Sequence, residues 1–202
     1  MKQAEVTETL RSLVKDRVRS SIQAKQALLS DTGFQDAVAA VAMKIVDSLR
    51  AGGKLFLFGN GGSATDAEHL AAEFTGRYLK ERRGLAAMAL NVNLSAMTAI
   101  GNDYGFEAIF ARQMEALGKA GDVAIGITTS GNSRNVIRAL EVAKSMRIFT
   151  VALTGESGGK VQNIAECTIR IPSQETPRIQ ECHILTGHII CELVENAMFE
   201  DK

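Results

Sequence analysis

An imidazole and a carboxylate four residues apart on a helix share one face, where they can pass a proton or hold a cation. The chain places such a pair at His69 and Glu73. On an isolated helix the same spacing also reads as a solvated i,i+4 pair. The other two histidines fall in Gln180-Glu-Cys-His-Ile-Leu-Thr-Gly-His188, followed by Ile189, Ile190, Leu193 and Val194. A histidine on such an apolar face is more often a hydrogen-bonded core residue than a ligand. Brought beside His69 and Glu73, it would complete an acid/base pair or a metal site. Spacing alone does not bring them together.

The element that carries His69 begins with a short apolar run, Leu55 to Phe58, suited to a strand buried on both faces. Gly59-Asn60-Gly61-Gly62 then frees the backbone for a sharp turn, and Ser63 is expected to cap the helix that follows. Strand, glycine turn and helix N-terminus together present free N–H groups and the positive end of a helix dipole, a seat for an anion such as phosphate. The turn is neither a Walker loop nor a dinucleotide fingerprint, so no nucleotide cofactor is expected. A plain structural turn is the alternative.

A second loop repeats the arrangement. Thr128-Thr-Ser-Gly-Asn-Ser133 follows the apolar run 122–127 and opens the helical stretch 134–146. Its four hydroxyls, on Thr128, Thr129, Ser130 and Ser133, can hold a phosphate with main-chain amides and without lysine. An ordinary Ser/Thr-rich cap is the bland reading. Two such loops at strand ends favour a site the size of a phosphosugar.

These loops belong to a strand–helix alternation. Amphipathic helices are predicted over residues 5–29, with Val6, Leu10, Leu13, Val14, Val18 and Ile22 on one stripe, and from Phe34 to Leu49, capped by Asp31 or Thr32 and ended by Gly52-Gly53. The first stripe is expected to pack on another subunit. Strands follow over residues 55–58, 86–90, 122–127, 149–153 and 167–171. Residues 91–100 read as a helix broken by Gly101-Asn-Asp-Tyr-Gly105, with helical spacing resuming from Phe106 to Leu117. Pro172 to Pro177 reads as a connector, and Arg178 to Phe199 as one long helix. The pattern predicts an α/β fold with a parallel sheet covered on both faces and ligands at the carboxyl ends of its strands. We expect one domain over 1–202, comprising a helical extension (1–53), a sheet core (54–172) and a terminal helix (173–202).

Composition narrows the function classes. Lys+Arg and Asp+Glu are both 23, and no polybasic stretch appears, which argues against non-specific nucleic-acid or anionic-membrane binding. No apolar run approaches the ~20 residues of a membrane span. The opening Met1-Lys-Gln-Ala-Glu-Val-Thr-Glu lacks the apolar core of a signal peptide, so a cytoplasmic location is expected. Cys167, Cys182 and Cys191 form an odd set without metal-type spacing, which reads as reduced structural thiols.

Taken together, Gly59-Asn-Gly-Gly-Ser63, Asp66-Ala-Glu-His69, Glu73, Gly76-Arg77, Gly101-Asn-Asp103, Thr129-Ser-Gly-Asn-Ser133 and Arg178-Ile-Gln-Glu181 with His188 make the chain resemble the sedoheptulose 7-phosphate isomerases (phosphoheptose isomerases) of the sugar-isomerase (SIS) domain class, over essentially its whole length. The resemblance implies a flavodoxin-like three-layer α/β/α sandwich around a five-stranded parallel sheet, with N-terminal helices and a long C-terminal helix. It implies a homotetramer with active sites between subunits, and conversion of D-sedoheptulose 7-phosphate to D-glycero-D-manno-heptose 7-phosphate, the first step toward nucleotide-activated heptose for surface polysaccharide. By the match, Glu73 is the base that moves a proton between C1 and C2 through an enediol, and His188 is its acid partner. One zinc per subunit would be held by His69, Glu73, Gln180 and His188. Phosphate would sit on Ser63, Thr128, Ser130 and Ser133, and Asn60 and Asp103 would read sugar hydroxyls. Gly61, Gly62, Asn102, Thr129, Gln180 and Glu73 would complete the substrate contacts. Gln180 and His188 are eight residues apart, about 12 Å along a continuous helix, which one ion does not readily span: either the helix starts after Gln180, or a neighbouring chain contributes a ligand, or the zinc set implied by the resemblance carries over only in part. Pro177 stands where some relatives carry an acidic residue.

The same scaffold serves a non-catalytic tetramer that associates with the bacterial replication initiator protein, and sugar-phosphate-sensing domains. In the initiator-associating relatives the positions matching Glu73 and His188 lack acid/base side chains. Both are present here, which favours the enzyme.

Overall fold

The computed structural model describes residues 3–199; the outermost residues of the expected domain, 1–2 and 200–202, lie outside the described residues. Five strands, β1 (Leu55–Gly59), β2 (Ala87–Ala89), β3 (Val123–Ile127), β4 (Phe149–Thr154) and β5 (Cys167–Arg170), form one parallel sheet in the order β2-β1-β3-β4-β5. The helices are α1 (Gln3–Ser30), α2 (Thr32–Arg50), α3 (Gly62–Thr75), α4 (Leu94–Tyr104), α5 (Ile109–Leu117), α6 (Arg134–Ser145) and α7 (Thr176–Met198).

Alternation along the strands makes the three layers. Leu55, Leu57, Val123, Ile125, Ile127, Val151 and Leu153 face a core shared with α2, α3 and α7. Phe56, Phe58, Ala124 and Ala152 face the opposite core, filled by α5 and α6. This is the flavodoxin-like sandwich. Its strand order reverses between β1 and β3, where a doubly wound sheet leaves a crevice outside its carboxyl edge. The loops after β1 and β3 flank that crevice.

Several local expectations change. The helix after β2 begins three residues late, at Leu94, because Asn93 caps it by accepting from Ala96 N–H at 3.0 Å. It then runs through Gly101 to Tyr104. One glycine lowers helix stability by only about 1 kcal/mol, whereas Gly105, at φ 86°, ends the helix. Asn102 and Asp103 therefore lie on a helix and not in a turn. The last helix starts at Thr176, so Pro177 belongs to its first turn, where a missing N–H and a fixed φ do no harm. Ser63 is not a cap: Gly61 occupies that position and Ser63 is buried in the first turn of α3. Of the two caps considered for α2, Asp31 serves, accepting from Phe34 N–H at 3.1 Å.

The stripe Val6, Leu10, Leu13, Val14, Val18 and Ile22 on α1 is exposed. Cys167, Cys182 and Cys191 are all free, and burial pushes the Cys191 thiol up to about 12, which keeps it protonated and inert. No helix among the described residues is long and apolar enough to cross a membrane.

Candidate active site

The two loops at the crevice are tied to each other by side chains that spacing did not reveal. Asn60 and Asn135 exchange a reciprocal pair of amide hydrogen bonds at 2.9 and 2.8 Å, and Asn135 is buried. Asn91 does similar service for β1, donating to the Gly59 carbonyl at 2.9 Å. Asn60, expected to read sugar hydroxyls, thus spends its amide on holding the β1 loop against the start of α6.

In the β3 loop, Thr128 and Ser133 share a hydroxyl–hydroxyl bond of 3.0 Å, and Asn132 N–H donates to Ser130 Oγ at 3.2 Å. Gly131, at φ 67°, lies so close to the loop after β4 that a Cβ would meet the Gly158 carbonyl oxygen at 2.2 Å. That third loop supports the second through Val161 N–H to Gly131 O at 3.0 Å and Gly155 N–H to Thr129 O at 3.0 Å. A cleft of ≈ 690 Å³ opens here, lined by Thr129, Ser130, Asn132, Ser157, Ser173 and Thr176 among others. Its lining mixes these hydroxyls and amides with the Glu156 carboxylate and Ile179.

The acid/base groups lie elsewhere, between α3 and α7. Gly62, Asp66, His69 and Glu73 recur at helical spacing along one face of α3. Helix α7 runs alongside in the same direction, since Gly62 abuts Gln180 and Leu70 abuts Gly187. A Cβ on Gly62 would come within 2.4 Å of Gln180 Nε2, and one on Gly187 within 2.4 Å of Leu70 Cδ1. Glycines at both points let the helices approach closely enough for their histidines to meet. His69 Nε2 and His188 Nε2 are 2.9 Å apart, and Glu73 Oε1 is 3.3 Å from His69 Nε2. Tyr78 stacks on His188, with ring centroids 5.7 Å apart and planes 25° from parallel.

His69, Glu73 and His188 bring one ligand atom each within 4.8 Å of one another. Two imidazoles and a carboxylate make a donor set that suits Zn²⁺ with an open coordination position. Two ring nitrogens at 2.9 Å also require a proton or a cation between them. Gln180 is not at this end. Because α7 is already helical at Thr176, Gln180 and His188 sit on one unbroken helix, about 12 Å apart along its axis, and the Gln180 amide packs over Gly62 at the crevice. Asp66, one turn before His69, has Oδ2 buried without a hydrogen-bond partner, and desolvation raises its carboxyl, partly opposed by His69. Asn102 and Asp103 stand exposed on α4, with Asn102 Nδ2 donating to Asp103 Oδ1 at 2.8 Å.

His183 is the core residue of the pair. It is fully buried, its Nε2 lies 3.1 Å from the Thr154 carbonyl oxygen, and desolvation lowers its pKa to about 4. A neutral His183 joins α7 to the end of β4.

The SIS domain family matches residues 20–155. Phosphoheptose isomerase of Aneurinibacillus thermoaerophilus is 50% identical over 189 residues, which span 94% of this chain and 96% of that protein. The phosphoheptose isomerase of Aquifex aeolicus is 55% identical over 187 residues, spanning 93% and 97%. The solved structure of a phosphoheptose isomerase from Neisseria gonorrhoeae superposes with a TM-score of 0.85 at 42% identity, over 92% of this chain and 99% of that one.

Proposed function

The chain belongs to the SIS domain family, and within it to the phosphoheptose isomerases, and we propose that it converts D-sedoheptulose 7-phosphate to D-glycero-D-manno-heptose 7-phosphate with Glu73 and His188 as its acid/base pair. It is an isomerase of a sugar phosphate. The observation that carries the assignment of roles is the meeting of His69, Glu73 and His188 between α3 and α7, on the helix that opens at the β1 loop.

Aldose–ketose isomerisation moves one proton between adjacent carbons and another between their oxygens. In the forward direction Glu73 takes a proton from C1, electrons flow toward the C2 carbonyl oxygen, and His188 protonates that oxygen to give the enediol. Glu73 then returns the proton to C2 while His188 removes the O1 proton, which leaves the aldehyde at C1. The phosphate is held by Ser63, Thr128, Ser130 and Ser133 with the amides at the starts of α3 and α6. Gly61, Gly62 and Thr129 line its approach, and Gln180, standing over Gly62, reads the sugar. Seven residues of α3 separate Gly62 from His69, a rise of roughly 10 Å. An extended chain advances roughly 1.2 Å per bond, so the eight bonds from C1 to phosphorus in a seven-carbon sugar phosphate span about the same distance.

Zinc would be held by His69, Glu73 and His188, and when bound supplies a Lewis acid beside the developing oxyanion. Within one chain the Gln180 amide serves the crevice, so Gln180 would ligate the ion only across a subunit boundary. A homotetramer is supported by the exposed stripe on α1 and by α4, which buries none of its residues fully and leaves Leu94 and Tyr104 exposed, with Phe106 exposed just beyond it. Asn102 and Asp103 on α4 would then reach the site from a neighbouring copy. A cytoplasmic location accords with biosynthetic use of the product.

The test is incubation with sedoheptulose 7-phosphate in D₂O, followed by NMR, with and without added zinc. A heptose 7-phosphate deuterated at C2 is expected. Absence of conversion under both conditions would overturn the reading.

A further inference from the structure

The end of α3, where Glu73 sits, is held by a buried ion pair that takes no part in the chemistry above. Arg82 and Glu195 are each only 2% exposed in their side chains, with Nε 2.7 Å from Oε1. Arg82 also donates from Nη2 to the Glu73 carbonyl at 2.9 Å, and from Nη1 to the carbonyls of Phe74 and Gly76 at 3.0 Å and of Arg83 at 3.1 Å. Of these, the carbonyls of Glu73 and Phe74 belong to the last turn of α3, which leaves such groups without partners inside the helix. Glu195 accepts from the main-chain N–H groups of Tyr78 at 3.1 Å, Leu79 at 2.8 Å and Lys80 at 2.9 Å. Tyr78 is the residue stacked on His188.

We propose that Arg82 and Glu195 form a positioning clamp, in which Arg82 fixes the main chain at Glu73 while Glu195 fixes Tyr78 so that its ring orients the His188 imidazole. One ion pair thereby sets both members of the acid/base pair relative to each other. Glu195 and His188 share α7 at a separation of seven residues, two turns on one face, so the clamp and the imidazole it orients are carried by one rigid element. Arginine is needed at position 82, because a planar fork spans four carbonyls and a carboxylate together, with the two Nη1 hydrogens shared among three of the carbonyls, and an ammonium cannot. A pair serving only stability would have no reason to hold three successive N–H groups of the segment that delivers Tyr78 to His188.

The inference rests on the isomerase reading for its kinetic arm only. The chain has three histidines, so selective ring labelling gives three resonances for NMR. In the full-length protein, the His188 Cε1–H signal is expected upfield under the Tyr78 ring, and to lose that displacement in both Arg82→Lys and Tyr78→Ala. With sedoheptulose 7-phosphate, both variants are expected to lose about 10- to 100-fold in kcat with KM changed less than about twofold, as for other residues that orient a catalytic group from behind. Tyr78→Phe, which keeps the ring, should restore the signal and most of the rate lost in Tyr78→Ala. An unmoved His188 signal with unchanged kcat in Arg82→Lys overturns the clamp. Should Arg82→Lys fail to fold, Tyr78→Ala decides, and equal rates and signals in Tyr78→Ala and Tyr78→Phe overturn it. Inactivity of the unmodified protein on this sugar would instead overturn the functional reading, and the NMR arm would still decide the clamp.

Discussion

The crevice at the carboxyl edge of the sheet and the face between α3 and α7 solve different problems with different materials. At the crevice the ligands are main-chain amides, hydroxyls and helix N-termini, contributed by continuous segments of four to six residues after β1 and β3. On the α3/α7 face they are ionisable side chains, and His69 and His188 are separated by 119 positions in the chain. In the reading proposed above, the first region binds through local backbone geometry. The second brings its ionisable groups together only because two helices, in contact through Gly62 and Gly187, run side by side. Substitutions in the two regions should therefore separate binding from turnover.

The sharpest way to break that contrast is Glu73→Gln. It is expected to lower kcat by about 10³-fold, within the usual range for removing a general base, while leaving the fold and phosphate binding intact. Loss of binding with little loss of turnover would reverse the assignment of the two regions. His188→Ala should lower kcat by about 10²-fold and reduce bound zinc as measured by elemental analysis. Unchanged kinetics and metal content would make His188 a packing residue like His183. On the crevice side, Ser130→Ala should raise KM about tenfold through loss of one bond to a charged oxygen, with kcat nearly unchanged. A pure kcat defect would tie this loop to the chemistry.

The smallest effect concerns the core side of α7. His183 has a folded pKa of about 4 against 6.5 in the unfolded chain. The unfolded chain therefore binds more protons between these values, and the stability His183 provides is lost as pH falls through that window. Between pH 7 and pH 5.5 this amounts to about 1 kcal/mol, a drop of a few degrees in Tm. His183→Gln should flatten that dependence relative to the unmodified protein; an equally steep decline would place the titrating group elsewhere. Glu195 works at lower pH. Burial alone would raise its carboxyl, but the N–H groups of Leu79, Lys80 and Tyr78 and the Arg82 guanidinium outweigh it and hold it below the usual carboxylate range.

Sequence reading reached the local parts of the site more readily than its supports. Both hydroxyl loops follow predicted strands, and Glu73 and His69 share the face that i,i+4 spacing assigns them. The helix carrying Asn102 and Asp103 is hard to read from sequence because Gly101 has the chemistry of a breaker, whereas Asn93 and Gly105 set its ends. Asn135, Asn91, Tyr78, Arg82 and Glu195 carry no such local signal. An asparagine beside a loop, or an Arg and a Glu 113 positions apart, carries no spacing signature until packing brings it to a partner.

What the sequence determined by itself is what depends on neighbours in the chain: apolar runs that must be strands, glycine turns that expose amides, and an imidazole and carboxylate one helical turn apart. What only the tertiary structure decided is which of two histidines in one helix meets His69 and Glu73. His183 and His188 are five residues apart, roughly 140° around α7 at 3.6 residues per turn. That rotation aims His183 at the Thr154 carbonyl inside the core and His188 at His69 and Tyr78 on the outer face. The apolar residues around both look alike in the sequence, and the direction in which α7 docks on the sheet buries one in the core and brings the other to the candidate site.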